Sequence, residues 1–490
     1  MYRDVIQVVA GIDSSTQSTK VELRDIDTGR VVGFGRALHP TTSPPRSEQN
    51  PEAWWSALGE AMTMALSSSE DVLTKGDVLS LSVAAQQHGL VVLDSDYAPL
   101  RDAKLWNDTE SAADAERLLE LLPASTWTER CGSIPLAAFT ISKLAWLKRR
   151  ELRTFAQVKR VLLPHDWLNF KLTGNFVTDR GDASGTGYWS PSEGSYQNEL
   201  LSLVDEATDW NSLLPDVRGP WAQAGELTSE AAAALGLRQG TLVAIGTGDN
   251  MAGALGLGLE SGDVSISIGT SGTVYSPSPT CVSDPSGLVA GFADGTGHFL
   301  PLVCTLNATL VTDAMGRFLS SSREELDHLA LSSPRGSGGL TILPYLAGER
   351  TPNRPEATGA MFGITLDTSR EMMARAAFEG VVCGLLDGLD ALAAVGVRTA
   401  TGRFLLIGGG AKSPTYQQVV ADLANREVTI PDNLEIVATG AAVQAAILAD
   451  SASVHEVATR WNLFSGTSVE PSDDVDGSVR IRRRYAEIRG

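Results

Sequence analysis

Apolar residues along this chain fall into two kinds of run. Short ones, closed by glycine or polar turn residues, predict strands: Val5–Asp13, Val21–Asp25 after the polar turn DSSTQSTK, then GRVVGFGRAL. LSLSVAAQQHGLVVLD reads as strand, turn and strand, Leu242–Ile245 as a short buried strand, and GDVSISIGTSGTVYS as a hairpin. Longer runs with helical spacing predict helices. NPEAWWSALGEAMTMALSS has Asn50 as cap and Pro51 in the first turn, WNDTESAADAERLLELL starts another helix, and a helix-rich section covers about 110–175. A small-residue helix starts at Met251, a helix follows the Ser413 cap and Pro414, and TGAAVQAAILAD closes the pattern. PHDW, Asp166 included, reads as a helix start to which no chemistry is assigned, and Ser190–Pro220 as loop. Glu371–Leu392 carries Gly380, Gly384 and Gly388 every fourth residue, a spacing that would suggest helix dimerisation in a membrane. Its charges Glu379, Asp387 and Asp390 make it instead a closely packed core helix of a soluble protein.

Alternating strands and helices place the chain in the α/β class. One pattern recurs: AGIDSSTQSTKVEL and GDVSISIGTSGTVYS, half a chain apart, are each a hydrophobic strand, a hydroxyl-rich turn and a returning strand. That predicts a duplicated fold with a cleft between the copies, divided near Gly246 into residues 1–246 and 247–490.

Composition narrows this further. With 490 residues, 43% hydrophobic and 48 of them glycine, the chain has room for more than one core and fits an ordered enzyme. Its 59 acids against 39 bases, net −20, argue against nucleic-acid partners or an anionic membrane surface. A phosphate ligand would have to be held locally, by backbone N–H groups, one or two cations and a metal. Four dispersed cysteines without C-x-x-C suggest neither zinc nor a disulfide framework. The opening MYRDVIQVVAGID lacks a signal-peptide pattern, and no window reads as a membrane span, so a cytoplasmic location is expected.

Three small-residue turns follow strands, Asp13–Lys20, Gly269–Thr273 and Gly408–Gly410. Each alone is an ordinary turn; together they suit a nucleotide, because glycine admits close backbone approach and successive N–H groups bind anions. GxxxxGK[ST], GxGxxG, G-x-S-x-G and the protein-kinase motifs are all absent. Asp13 ends a strand beside the first turn, where it could hold Mg²⁺ or cap the hairpin; Lys20 could meet phosphate or water. QQHG (86–89) and WND (106–108) gather amides, an imidazole and a carboxylate, which suit a polyol, although a lone histidine at a turn is often structural. Asp249, the lone acid in LVAIGTGDNMAGALGLGL, stands where a strand ends and a helix begins. It reads as a helix cap or as a carboxylate facing a ligand at the sheet edge.

These residues in this order resemble the FGGY family of carbohydrate kinases, and within it the members that phosphorylate D-xylulose. The resemblance runs from Gly11 to about Ala449 through GID, SEQNPEAWW, QQHG, LWND, TDRGDASGT, GDN, SIGTSG, LPYLAGERTP and LIGGGAKS. It implies two actin-like, ribonuclease H-like domains, the first binding mainly sugar and the second mainly ATP. It implies Asp249 as general base and Asp13 as the carboxylate for Mg²⁺ and ATP. Thr16 and Lys20 match one phosphate loop, Gly269 and Thr270 the other, and Gly409 and Gly410 the adenosine glycines. Gln87, His88, Asn107 and Asp108 fall at sugar positions, and Asn250 lies beside the base. Four residues depart from the family pattern: Ser15 before the phosphate-loop Thr, Gln87 for a common Met, Glu110 for a frequent Arg, and Met372 for an acid or amide.

The expected reaction is therefore transfer from Mg-ATP to the 5-hydroxyl of D-xylulose, with Asp249 kept ionised by its helix dipole. A kinase for another polyol, such as ribulose or gluconate, is the first alternative. The second is an actin-like ATPase without a sugar, which would not need QQHG or WND. The partners implied are a free sugar and ATP, with no nucleic acid and no membrane; a homodimer is compatible with the reading.

Overall fold

In the computed structural model, residues 6–69, 73, 77–433 and 435–490 are described. The run VVAGIDS forms β1 (Val8–Ser14), buried along its whole length, so the strand needs covering on both faces. The expected start at Val5 lies outside the described residues. β1 turns back antiparallel into β2 (Ser18–Asp25), which pairs with β3 (Val31–Leu38). α1 (Pro51–Ser67) then crosses the sheet; Asn50 accepts from the Glu52 N–H at 3.0 Å, as its cap position predicts. β4 (Val78–Ala85) returns parallel to β1. Beyond it come α2 (Pro164–Thr173), α3 (Arg180–Ser184), β5 (Gln223–Glu226), β6 (Leu242–Ala244) and β7 (Thr247–Gly248). The seven-stranded sheet runs β5-β6-β4-β1-β2-β3, with β7 also on β4.

After α4 (Asp249–Gly256) a second seven-stranded sheet forms. Its strands are β8 (Val264–Ile268), β9 (Gly272–Tyr275), β10 (Ala290–Ala293), β11 (Phe299–Thr305), β12 (Phe404–Ile407), β13 (Val428–Pro431) and β14 (Gly466–Val469), in the order β10-β11-β9-β8-β12-β13-β14. The topology repeats. β8–β9–β11 is an antiparallel meander like β1–β2–β3, β12 lies parallel to β8 as β4 does to β1, and β13 continues parallel with antiparallel β14 outside it. The recurrent hairpin was thus the visible part of a repeated sheet.

α5 (Arg370–Ala394) and α6 (Pro414–Ala424) flank the second sheet, and α8 (Val475–Arg489) packs against both of them. The regular glycines of α5 allow close packing: a Cβ at Gly380 would lie 2.4 Å from the Ile342 carbonyl. α7 (Ile436–Asp450) lies against β1, β4 and α4. Its small residues explain the closeness, since a Cβ at Gly440 would sit 1.7 Å from the Ala252 carbonyl and one at Gly11 1.9 Å from that of Ala438. Among the described residues no single helix is long and apolar enough to cross a membrane.

Three local expectations are corrected. The helix expected from WND starts only at Ala112, because Trp106–Glu110 is a turn held by Asp108, whose carboxylate accepts the Glu110 N–H at 3.1 Å. α4 starts at Asp249, two residues before Met251. Ser190–Pro220 contains short helices at Asn198–Ser202 and Trp210–Leu213, where Leu200, Leu201 and Trp210 are buried.

Candidate active site

The first hairpin is stiffened by its own side chains. Ser15 Oγ donates to Asp13 Oδ1, which accounts for the hydroxyl standing where the family pattern has glycine. Lys20 Nζ lies 3.5 Å from Asp13 Oδ2 and 2.5 Å from Glu435 Oε2. Burial pushes the Asp13 carboxyl up, and Lys20 and Ser15 only partly oppose it. For Lys20 burial acts downward, but the two acids more than offset it and its pKa rises. Thr16 faces the other way: its hydroxyl accepts from Trp106 Nε1 at 2.9 Å and donates to Gln86 Oε1 at 3.2 Å. Gln49 Nε2 donates to the Thr16 carbonyl at 2.9 Å, and Trp54 Nε1 holds Gln49 Oε1 at 2.8 Å, which gives SEQNPEAWW its place.

The structure brings QQHG to the end of β4, beside this hairpin. Gln87 Oε1 accepts from Asn250 Nδ2 at 2.9 Å, while the buried Nε2 atoms of Gln86 and Gln87 and Oδ1 of Asn107 have no partner among the described residues. Two donors and an acceptor left so are costly in a folded interior unless a ligand meets them. His88 is buried at φ 65°, its ring packed against Phe139 of the first half and Phe292 of the second at 4.9 and 5.6 Å. Nδ1 lies 2.7 Å from the Gly185 carbonyl and so carries the proton, leaving Nε2 as an acceptor. Burial first, then the Lys143 and Arg350 charges, hold the ring neutral. Asp108 is differently placed. Its oxygens accept from Ser47 N–H at 2.9 Å and from Lys104 Nζ at 3.1 Å, so its carboxylate is engaged by the protein itself. Glu110 pairs with the same lysine at 2.5 Å.

Asp249 opens α4, but the cap position belongs to Gly248. Oδ1 of Asp249 accepts from the Asn250 N–H at 2.8 Å and from Asn250 Nδ2 at 2.9 Å. The carboxylate is half-buried, and its pKa is pushed up to about 7, by burial first and then by the charges of Asp13 and Asp182. The expectation that the helix start keeps it ionised is therefore corrected. A helix N-terminus offers about half a charge, which burial and two nearby acids outweigh here.

In the second hairpin the tip Gly269–Ser271 is made mostly of backbone. Ala308 N–H donates to the Thr270 carbonyl at 3.2 Å and Thr309 N–H to that of Gly269 at 2.9 Å. Gly408, at φ 85°, lets the chain turn where a Cβ would lie 2.7 Å from the Ile268 carbonyl. Gly409 is exposed, and a Cβ there would meet nothing within 4 Å, whereas at Gly410 it would strike Ile268 at 2.4 Å. Open space above Gly409 and a closed floor at Gly410 suit a flat ligand lying on the backbone. As for a divalent ion, Asp13 is a buried acid whose lysine is shared with Glu435, so positive charge beside it would relieve its raised pKa. Mg²⁺ commonly takes one or two carboxylates besides waters and phosphates, and Asp13 fits that pattern.

Sequence reasoning passed over a buried group behind Asp249. Asp179 caps α3, accepting from Gly181 N–H at 2.8 Å and Asp182 N–H at 2.9 Å, and also takes the Thr247 hydroxyl at 2.8 Å. His165 lies against Asp182 and Asp166. The available signal was the second acid of TDRGDASGT together with the histidine of PHDW, two motifs far apart in sequence. Gln86 was read only as part of QQHG and not among the sugar positions, although it adjoins Gln87.

Residues 8–256 match the N-terminal domain of the FGGY family of carbohydrate kinases and residues 264–449 its C-terminal domain. The chain is 45% identical to a xylulose kinase of Streptomyces coelicolor over 460 residues, covering 94% of this chain and 92% of that protein. It is 44% identical to a xylulose kinase of Streptomyces rubiginosus over 466 residues, with the same coverage of 94% and 92%. The crystal structure of xylulose kinase from Bifidobacterium adolescentis superposes with a TM-score of 0.85 at 36% identity, covering 99% of this chain and 100% of that one.

Proposed function

The chain belongs to the FGGY family of carbohydrate kinases, and from that premise we propose that it phosphorylates D-xylulose at the 5-hydroxyl with Mg-ATP. The observation that carries phosphoryl transfer is the setting of Asp249: a half-buried carboxylate with pKa about 7, beside Gln87 and Asn250 and within electrostatic reach of Asp13. A base poised near the working pH is the effective kind. The choice of sugar is supported by the near-full-length likeness to the two xylulose kinases.

In this reading the first domain, 1–246, holds mainly sugar and the second, 247–490, mainly ATP. The amides of Gln86, Gln87 and Asn107 and Nε2 of His88 orient the sugar hydroxyls, and Asn250 holds the base in place. Asp249 takes the proton of the 5-hydroxyl, the freed oxygen attacks the γ-phosphorus, and ADP leaves. Lys20, Thr16 and the tips at Gly269 and Thr270 steady the phosphates through charge and N–H groups, while Gly409 and Gly410 accept the adenosine. Asp13 would hold Mg²⁺, which supplies neutralising charge to the phosphate oxygens when bound. We place the enzyme in the cytoplasm, working on free sugar.

A polyol panel at saturating ATP tests this, read as ADP released by wild type, His88→Ala and Gln87→Met. D-xylulose should lead. His88→Ala should lose about 5–150-fold in kcat/KM for D-xylulose, the cost of a polar group left unsatisfied. Gln87→Met should alter the ranking more than the turnover. Preference for another polyol would overturn the sugar; ADP release unchanged by every polyol would favour the ATPase.

A further inference from the structure

The turn that carries Asp249 is anchored from below by a charged group to which phosphoryl transfer assigns no part. The Ile245 carbonyl accepts from His165 Nε2 and from Asn169 Nδ2, both at 2.8 Å. Gly246 follows at φ 73°, and a Cβ there would lie 3.0 Å from the imidazole ring. The ring is thus in contact with the strand end from which the turn departs.

His165 is fully buried in the first turn of α2. Its Nδ1 lies 3.1 Å from Asp166 Oδ1 and 3.2 Å from Asp182 Oδ2. Both ring nitrogens therefore face acceptors alone, a carbonyl on one side and two carboxylates on the other. A neutral imidazole would turn a lone pair toward one side, whereas an imidazolium donates to both. Its charge is needed locally, because Asp166, Asp179 and Asp182 are all buried around it. Burial acts downward on the ring, but Asp166 and Asp182 outweigh it and raise its pKa well above the usual value. Asp179 ties the same cluster to the turn a second time through the Thr247 hydroxyl.

We propose that His165, as a buried imidazolium, is a positioning residue for the base: it pins the Ile245–Asp249 turn and offsets the acids gathered beneath Asp249. This rests on Asp249 being the proton acceptor. The charged groups acting on Asp249 are Asp13 from β1 and Asp182 from α3, with Asn250 hydrogen-bonded to it from α4. Those acting on His165 are Asp166 of α2 and Asp182 of α3, with Asp179 in the same cluster.

The test compares wild type, His165→Gln, Asp182→Asn and Asp249→Asn at saturating Mg²⁺, with ATP and D-xylulose each varied to give kcat and both KM values, and kcat/KM for D-xylulose followed from pH 5.5 to 9. His165→Gln should lower kcat by roughly 10–100-fold while both KM values stay within about threefold, because the loss is one of alignment. Removing the cation should move the acid-side midpoint of kcat/KM to higher pH, and Asp182→Asn should move it to lower pH. A merely structural role would not displace it in opposite directions. Wild-type kcat in His165→Gln, or midpoints that stay fixed or move together, would overturn the proposal. If His165→Gln does not fold, Asp182→Asn decides alone, since an unmoved midpoint contradicts the charge balance. Asp249→Asn separates the two ideas: full activity there defeats the base itself, whereas an inactive Asp249→Asn beside an unimpaired His165→Gln defeats only the positioning role.

Discussion

The hairpin closing β1 onto β2 and the one closing β8 onto β9 hold the same place in two sheets of one topology, yet they are built differently. The first is wired through side chains: Ser15 to Asp13, Lys20 to Asp13 and Glu435, Thr16 to Gln86 and Trp106. The second is held by backbone bonds from Ala308 and Thr309, and its tip at Thr270 is exposed. A duplicated sheet thus supplies two such tips, and the residues of each decide what it can do. The wired tip couples the phosphate side to the sugar wall through Thr16. The backbone tip offers exposed main chain and room.

The largest effect should come from Asp249, which feels the charge of Asp13 at the first tip. Asp249→Ala should keep ATP binding and lose on the order of 10²–10⁴-fold in turnover; a variant within a few-fold of wild type would return Asp249 to a helix-start role. The raised pKa sets a sign for wild type as well. The free enzyme's kcat/KM should rise with pH through about 7, because the ionised form is the base. Stability runs the other way. The folded state holds this proton between the ordinary pKa of 3.8 and about 7, so the group's contribution is largest below 3.8 and is lost as pH rises through that window. Asp249→Asn should therefore melt above wild type at pH 8, and the difference should narrow steadily as pH falls and close only near pH 3.8, as followed by calorimetry.

Next comes the wired hairpin. Asp13→Ala should weaken Mg²⁺-dependent turnover by roughly 10–100-fold, the usual cost of losing a residue that supports a metal. Sugar affinity, measured without nucleotide, should be spared; equal losses of both would mean that the hairpin itself has collapsed.

The smallest and most direct contrast sets Thr16→Val against Thr270→Val. The first leaves Trp106 Nε1 without its acceptor and Gln86 Oε1 without its donor, so it should raise KM for both sugar and ATP and lower stability by about 1–3 kcal/mol. The second sits at an exposed tip and should change stability by no more than about 0.5 kcal/mol, with its effect confined to ATP. Equal effects at the two sites would erase the distinction between wired and open tips.

Much of this was legible along the chain. The strand of Asp13, the caps at Asn50 and Ser413, and the elements on either side of Asp249 are short-range features, written in periodicity and in residues with strong local preferences. The small residues of TGAAVQAAILAD announced close packing without naming the partner, since Gly440 meets Ala252 only when the halves of the chain come together. WND was misread as helical for a similar reason. Its turn is held by a buried lysine shared among Asp108, Glu110 and Glu48, a set whose members gain from one another only after burial.

By itself, then, the sequence determined the alternation of strands and helices, the repeated hairpin, and the residue types able to handle phosphate and sugar, because each depends on neighbours a few positions away. Only the tertiary structure decided the charge states. Asp249 looked ionised at a helix start, and became an acid of pKa about 7 once burial, Asp13 and Asp182 acted on it. His165 looked like part of an ordinary first helical turn, and became a cation once Asp166, Asp182 and the Ile245 carbonyl surrounded its ring. Charge acts through space in a medium of low polarisability, so these properties belong to residues brought together by the fold from distant parts of the chain.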